Sequence, residues 1–300
     1  FVGGIASSII PNEITKETGI VPIFGILENP GMLDADSNAI IDTLPLDYSI
    51  LDEIDYKYPT TDAYFAYMTR GCPNKCKFCA VPKLEPKYKN YIQLRQQLEA
   101  AQERFGEQKN LMLLDNNVLE SECYEHIVEE ITACGFGKGA TYIPPNPYDI
   151  AYRNLVDGIN DRAYIRVMVE LYDTLLTKCS NPKVCKDTVI RDELYKRIME
   201  AECDQVHTAT RAAILKLHDY IQPLFQRYAY HPMPRQRIVD FNQGIDGRLI
   251  TPENMQTLAR INVRPVRIAF DSWKEHRIYE RAIRAAAAAG LTDLSNYMLY

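Results

Sequence analysis

The sequence predicts an α/β fold built on a parallel sheet, and three observations carry that prediction. Short apolar runs alternate with longer helical ones from about residue 61 to 142, and again from about 236 to 300. The run Asn110-Leu111-Met112-Leu113-Leu114-Asp115 is apolar through its middle, as in a strand buried on both faces. Polar residues gather where such runs end, at Arg70, Asp115, Asn242 and Asp271. In parallel α/β folds that edge is where sites form.

Each element has its own signal. Ala63–Thr69 reads as a first strand and Lys89–Phe105 as a helix rich in Gln, Leu, Glu and Ala. Asn110–Asp115 reads as a second strand, and Glu120–Cys134 as a helix closed by Gly135. The rhythm then breaks. Residues 143–236 carry two helical stretches, Asp161–Cys179 and Asp187–Tyr230, joined by a turn, and read as a helical insertion. Arg237–Asn242 resumes the strands, followed by Gly244. Thr251 and Pro252 supply an N-cap and a first-turn proline for the next helix. Pro265–Asp271 is a strand, Glu275–Ala289 a helix capped by Gly290, and Leu294–Tyr300 a last strand.

The N-terminal part reads differently. Residues 1–30 suggest a strand, a glycine turn at Gly3–Gly4, a short helix and a second strand, Val21–Leu27, like the end of an α/β domain. Residues 31–60, with Pro45, Pro59 and many Asp and Tyr, read as a linker lying along the next domain. The chain opens at Phe1 without a Met and stops at Tyr300, both inside apparent strands, so it reads as a fragment.

Composition narrows the function classes. Hydrophobic residues are 46% and charged residues 25% of 300, an ordinary globular balance. A net charge of -6 announces no strong basic field for nucleic acid, although a local basic channel is compatible with it. No apolar run of membrane-spanning length is present. Eight cysteines are too few for a disulfide scaffold and fit the reduced thiols of a cytoplasmic protein.

Three of those cysteines are clustered. Arg70-Gly71-Cys72-Pro73-Asn74-Lys75-Cys76-Lys77-Phe78-Cys79 is C-x-x-x-C-x-x-C with an aromatic before the last cysteine. Three thiolates this close can hold three irons of a [4Fe–4S] cluster and leave the fourth iron open, whereas electron carriers commonly close it with four. A zinc site would want a fourth ligand. The next cysteine is Cys123 and the first histidine His126, neither nearby. Cys179 and Cys185 are separated by five residues with no histidine partner and read as ordinary thiols.

With the loop placed after a first strand, the chain resembles the radical S-adenosylmethionine (SAM) superfamily, in a subgroup with an N-terminal B12-binding-type domain. The resemblance covers roughly residues 60–142 and 236–300 and leaves the insertion unmatched. It implies a partial (β/α)6 TIM-like barrel, truncated at the C-terminus and lacking a sixth strand. It also implies a B12-type remnant in residues 1–30. Cys72, Cys76 and Cys79 would ligate a [4Fe–4S] cluster whose open iron binds SAM. An electron from a donor such as flavodoxin or ferredoxin would cleave SAM, and the resulting 5′-deoxyadenosyl radical would abstract hydrogen from an unassigned substrate.

The resemblance extends to other positions one by one. Phe78 belongs to the cysteine motif. Asp115 and Asn116 stand where the family usually has Gly-Gly-Glu against the methionyl amine. Asn242, Gln243 and Asp246 follow the third strand, and Asp271 follows the fourth, facing SAM or substrate. Each has a plainer reading as well: Asp115 and Asp271 as helix caps, and the others as turn residues around Gly244 and Gly247. Arg70 reads either as a solvated charge or as a cation favouring a reduced cluster.

Cobalamin would require a lower-ligand run D-x-H-x-x-G, and residues 1–60 contain no His. It enters only with sequence upstream of Phe1. Two other functions stay open: a non-catalytic Fe–S protein, and methylthio transfer to RNA, which would need a second cluster and an RNA-binding module. The insertion is expected beside the open face of the barrel or along its side, where a substrate lid would sit.

Overall fold

The computed structural model describes residues 3–56, 58 and 60–298, with the side chains of residues 297 and 298 left out. The expected strand at Phe1–Val2, Pro59 of the linker and the chain end at Leu299–Tyr300 lie outside the described residues.

A parallel sheet forms the centre. Strands β1 (Ala63–Ala66), β2 (Asn110–Leu113) and β5 (Val239–Phe241) pair in the order β1-β2-β5, with Ala63 opposite Asn110 and Leu111 opposite Val239. Strands β6 (Val266–Phe270) and β7 (Leu294–Met298) form a second parallel pair. Backbone bonds join the two groups. The Val239 N–H donates to the Asn262 carbonyl at 3.0 Å, and the Ile245 N–H to that of Arg267 at 2.7 Å. Five parallel strands thus run side by side in small sheets.

Among the described residues β7 pairs only with β6, so the expected partial barrel is an open α/β arc and not a closed one. The outer edge of β1 is sealed by side chains in place of a strand. The Phe65 N–H donates to the Tyr48 hydroxyl at 2.9 Å, and the Gln97 amide accepts from the Tyr67 N–H and donates to its carbonyl. Tyr48 of the N-terminal segment therefore lies against the edge of the sheet.

Helices α4 (Leu94–Phe105), α5 (Tyr124–Ile131), α10 (Pro252–Leu258) and α11 (His276–Ala288) pack on this sheet. Leu94, Leu98, Ile127, Ile131, Met255, Leu258 and Ala282 share one core with Leu111, Leu113, Val239 and Ile268. Helix α4 starts five residues later than its sequence suggests, because Lys89 is taken up in backbone pairing with Arg70. Helix α5 ends in a wide turn, Thr132–Phe136, where Gly135 has φ 88°.

Among the described residues from 3 to 60 there are two short helices, α1 (Ile5–Ile9) and α2 (Pro11–Thr18), and two 3₁₀ turns. The expected strand Val21–Leu27 does not form. Its chain finds no ladder partner among the described residues, and Val21 and Phe24 are exposed.

The insertion is a separate helical unit. It contains α6 (Pro147–Asp157), α7 (Asp161–Cys179), α8 (Thr188–Glu200) and α9 (Arg211–Tyr228), with its own core of Tyr148, Leu155, Met168, Tyr172, Leu194 and Ile221. The short helix α3 (Val81–Leu84) lies outside it, after the cysteines. Two boundaries differ from the sequence reading. The single stretch Asp187–Tyr230 is broken at 201–210, where Glu202 takes φ 54° and Thr210 caps α9 by accepting from the Ala213 N–H. Helix α6 was not expected, although Asn146 caps it, Pro147 opens it and left-handed Gly158 closes it.

The insertion also sits elsewhere than expected. The Asn154 side chain donates to the Arg104 carbonyl at 2.9 Å, Asn160 bonds Ser49 and Glu53, and just past the insertion Arg237 pairs with Glu107. A two-stranded ladder of β3 (Thr141–Tyr142) and β4 (Arg235–Gln236) closes its base. These contacts fall at the residues leading into β1, β2 and β5, the end of the sheet opposite the cysteines. A lid over the cysteine loop is therefore ruled out for this unit.

Candidate functional site

The cysteine loop leaves the C-terminal end of β1 and is clamped at both ends. Arg70 and Lys89 exchange backbone bonds at 3.2 and 2.8 Å, closing residues 70–89 into a loop. Inside it Glu85 acts as a hub. It accepts from Arg70 Nε at 2.9 Å, from the Gly71 N–H at 2.7 Å and from Asn116 Nδ2 at 3.1 Å. Arg70 also donates to Asp42 at 2.8 Å, which ties the N-terminal segment to the loop. Arg70 is buried between two carboxylates, so it is neither a solvated charge nor a cation directed at a cluster.

Gly71 is required by geometry. Its φ is +76°, and a Cβ there would lie 2.7 Å from the Lys87 carbonyl oxygen and 2.9 Å from that of Glu85. The backbone passes so close to the returning loop that only glycine fits.

Past this clamp the three cysteines line one cavity of about 230 Å³. Its wall is drawn from four strand ends. Asn74 and Phe78 come from the loop after β1, Asn116 and Asn117 from β2, Gln243, Asp246 and Arg248 from β5, and Asp271 from β6. Cys72, Cys76 and Cys79 are all partly exposed, and Phe78 is 56% exposed. Asn117 Nδ2 donates to Cys72 Sγ at 3.7 Å, while its Oδ1 is buried without a partner. Burial pushes the Cys76 thiol above its ordinary range, against the pull of Arg248.

Arg248 is a site residue that sequence reasoning missed. Its Nε and one Nη donate to Asp246 at 2.8 and 2.6 Å, and Asn74 donates to the same carboxylate at 3.3 Å. Burial alone would raise Asp246, but the Arg248 guanidinium outweighs it and holds the carboxyl below the usual carboxylate range. The sequence signal was present in Asp246-Gly247-Arg248, a turn whose acid accepts from its own Arg248 N–H at 3.0 Å. Asp271 is shifted upward by burial, with Arg248 opposing. The helix cap at that position is Ser272, whose hydroxyl accepts from the Lys274 N–H.

No family model, no curated protein and no solved structure matches this chain. The site must therefore be read from its own residues.

Phe78, Asn116, Gln243, Asp246 and Asp271 are brought together with the cysteines. Asp115 and Asn242 are not. Asp115 is 1% exposed and turned inward, accepting from the backbone N–H groups of Met68 and Thr69 and from the Thr69 hydroxyl at 2.6 Å. It shapes the exit of β1 and does not reach the cavity. Burial raises its carboxyl to about 6, against those hydrogen bonds. The strand end it belongs to reaches the cavity through Asn116 and Asn117 instead. Asn242 is held through its backbone N–H on the Leu113 carbonyl and stays outside the cavity lining.

The three cysteines line one cavity, yet among the described residues no group of three or more His, Cys, Asp or Glu side chains is placed to hold a metal ion. Among the described residues no helix is long and apolar enough to cross a membrane.

Proposed function

We propose that the chain is a radical SAM enzyme. The observation that carries this reading is the C-x-x-x-C-x-x-C loop at the C-terminal edge of a parallel sheet, with all three cysteines on one cavity walled by the neighbouring strand ends. Cys72, Cys76 and Cys79 would hold a [4Fe–4S] cluster. When bound, the cluster and SAM supply reductive cleavage of SAM and a radical that abstracts hydrogen from a substrate.

The remaining wall does the binding. Asn117 Oδ1, buried and unpaired, is an acceptor matched to an amine donor. Arg248 and the Asn116 amide offer donors to a carboxylate. Phe78 offers an aromatic face, and Gln243 and Asp271 stand at the open side. The Arg248–Asp246–Asn74 bonds tie the cysteine loop to the β5 exit, so ligand contacts from two strands share one frame.

The test is direct. Protein reconstituted anaerobically with iron and sulfide, then reduced with dithionite, should convert SAM to 5′-deoxyadenosine, read by mass spectrometry. An intact cluster by EPR with no 5′-deoxyadenosine would favour a non-catalytic Fe–S protein instead.

A further inference from the structure

A second cavity lies apart from the cysteines and shares no lining residue with theirs. Its volume is about 570 Å³, against about 230 Å³ for the cysteine cavity. The 41–48 segment, helix α4 and residues 65–70 at the exit of β1 supply most of its wall. The cavity changes character along its length. Arg70 pairs with Lys89, and Tyr67 exchanges bonds with Gln97, so the start of α4 lies beside residues 67–70. The Tyr48 hydroxyl accepts from the Phe65 N–H, and its ring packs on that of Phe105 with centroids 5.3 Å apart, so the end of α4 lies beside residue 65. Lys89, Gln93 and Gln96 line the first end, and Phe65, Ala100 and Ala101 the second. From Gln93 to Ala101 the helix climbs about 12 Å.

Uncompensated charge is confined to the first end. Arg70 is spent on Asp42 at 2.8 Å and Glu85 at 2.7 Å, which also neutralises Asp42. Lys89 is exposed and in no ion pair among the described residues. The Gln93 and Gln96 side chains are exposed and have no hydrogen-bond partner among them. Further along, Leu44 and Leu46 line the cavity while 52% and 53% exposed. An apolar body seated between them and α4 would take that surface out of water.

We propose that this cavity binds an alkyl carboxylate of medium chain length. The chain lies along α4 against Phe65 and Ala100, with Leu44 and Leu46 over it. The carboxylate meets the Lys89 ammonium and accepts from the Gln93 and Gln96 amides. One cation matches one carboxylate, and a cationic head group would be repelled there. An added peptide strand does not fit, because the edge of β1 that it would pair with is already bonded by Tyr48 and Gln97. The site is independent of the radical SAM reading, since the two cavities have no residue in common.

Decanoate, kept below its micelle-forming concentration, is the probe, and its binding to the whole chain is read by calorimetry. Binding should saturate at one decanoate per chain and raise the melting temperature, as for any ligand of the native state. Decylammonium, with the same chain and the opposite charge, should bind about tenfold more weakly, or about 1.4 kcal/mol. Lys89→Gln should cost decanoate about the same factor and close the gap between the two probes. Leu44→Glu, at an exposed position of the apolar wall, should weaken decanoate by about tenfold as well. Both variants should keep the melting temperature of the unliganded protein, because both side chains face water. Lys183→Gln, on an exposed lysine of the insertion, should bind decanoate as the unsubstituted protein does.

No saturable decanoate binding overturns the proposal. So does decylammonium binding as tightly as decanoate, which would mean that apolar area alone is recognised. An equal loss in Lys183→Gln, or full affinity in both Lys89→Gln and Leu44→Glu, would place the ligand outside this cavity and overturn it too.

Discussion

The molecule holds two cysteine triplets in opposite settings. Cys72, Cys76 and Cys79 line a cavity at the C-terminal edge of the sheet and are partly exposed. Cys179, Cys185 and Cys203 are buried in the core of the insertion, beyond the other end of the sheet. There burial pushes the Cys179 and Cys203 thiols up to about 11, which suppresses the thiolate that metals and electrophiles need. The same residue type lines a cavity in one place and is small apolar filling in the other. Spacing and strand context separate the two, and cysteine count does not.

The largest expected effect breaks that comparison at its root. Cys72→Ser, Cys76→Ser or Cys79→Ser should abolish cluster assembly, measured as iron per chain and as loss of 5′-deoxyadenosine by at least ~100-fold, since three ligands leave no spare. Their melting temperatures should barely move, because the side chains pack against little. Cys179→Ser should do the reverse. A hydroxyl placed in an apolar core costs about 1–3 kcal/mol, so the melting temperature falls while iron content holds. Iron loss in Cys179→Ser at full stability would erase the distinction.

Gly71→Ala tests the frame of the first triplet without touching a ligand. The left-handed backbone alone costs about 1–2 kcal/mol with a Cβ, and the Lys87 and Glu85 carbonyls add a clash that the loop must relieve by opening. Iron retention should fall about tenfold, far more than the stability loss alone implies. An unchanged iron content would show that the cysteines do not depend on this clamp.

The first triplet was legible because its pattern is local: three cysteines, a glycine and an aromatic fall within ten positions, and the strand before them is apolar. The alternating elements and an incomplete barrel were legible, but the division of the strands into small sheets was not, since strand pairing is a long-range property with no local signature. Asp115 misled for a related reason. The sequence shows an acid at a strand end and cannot show which way it points, and here it turns inward to hold Thr69. Asn117 and Arg248 were overlooked because an amide and a turn arginine carry no chemistry until a fold gathers them. The insertion was legible as helical, yet its place at the far end follows from Asn154 and Asn160, each bonded to residues 50 or more positions away in sequence.

Asp115 gives the comparison a pH axis. Its carboxyl is raised to about 6 in the folded chain, against about 3.9 unfolded. Between those values the native state holds more proton than the unfolded one, so stability rises as pH falls from about 6 to about 4, by up to about 1.4 kcal/mol per unit. Asp115→Asn should flatten that segment of the stability curve, measured by urea unfolding across the window. The insertion contributes no such slope through Cys179 and Cys203, whose thiols burial raises to about 11. A slope that persists in Asp115→Asn would place the titrating group elsewhere.

The smallest effect concerns the seam at the far end. Asn160 caps α7 by accepting from the Ala163 N–H, and its amide donates to Ser49 and Glu53 of the N-terminal segment. It does so at φ 44°, a conformation asparagine tolerates and alanine does not. Asn160→Ala should cost about 1–2 kcal/mol through the lost cap, and Asn160→Gly somewhat less, because glycine restores the backbone freedom but not the bonds. Both should bind iron as before, since the cysteine cavity draws no residue from the insertion. If Asn160→Ala lowered iron content while Asn160→Gly did not, strain at this seam would be reaching the cysteine loop through Asp42 and Arg70. The two ends of the sheet would then be coupled through the N-terminal segment that touches both.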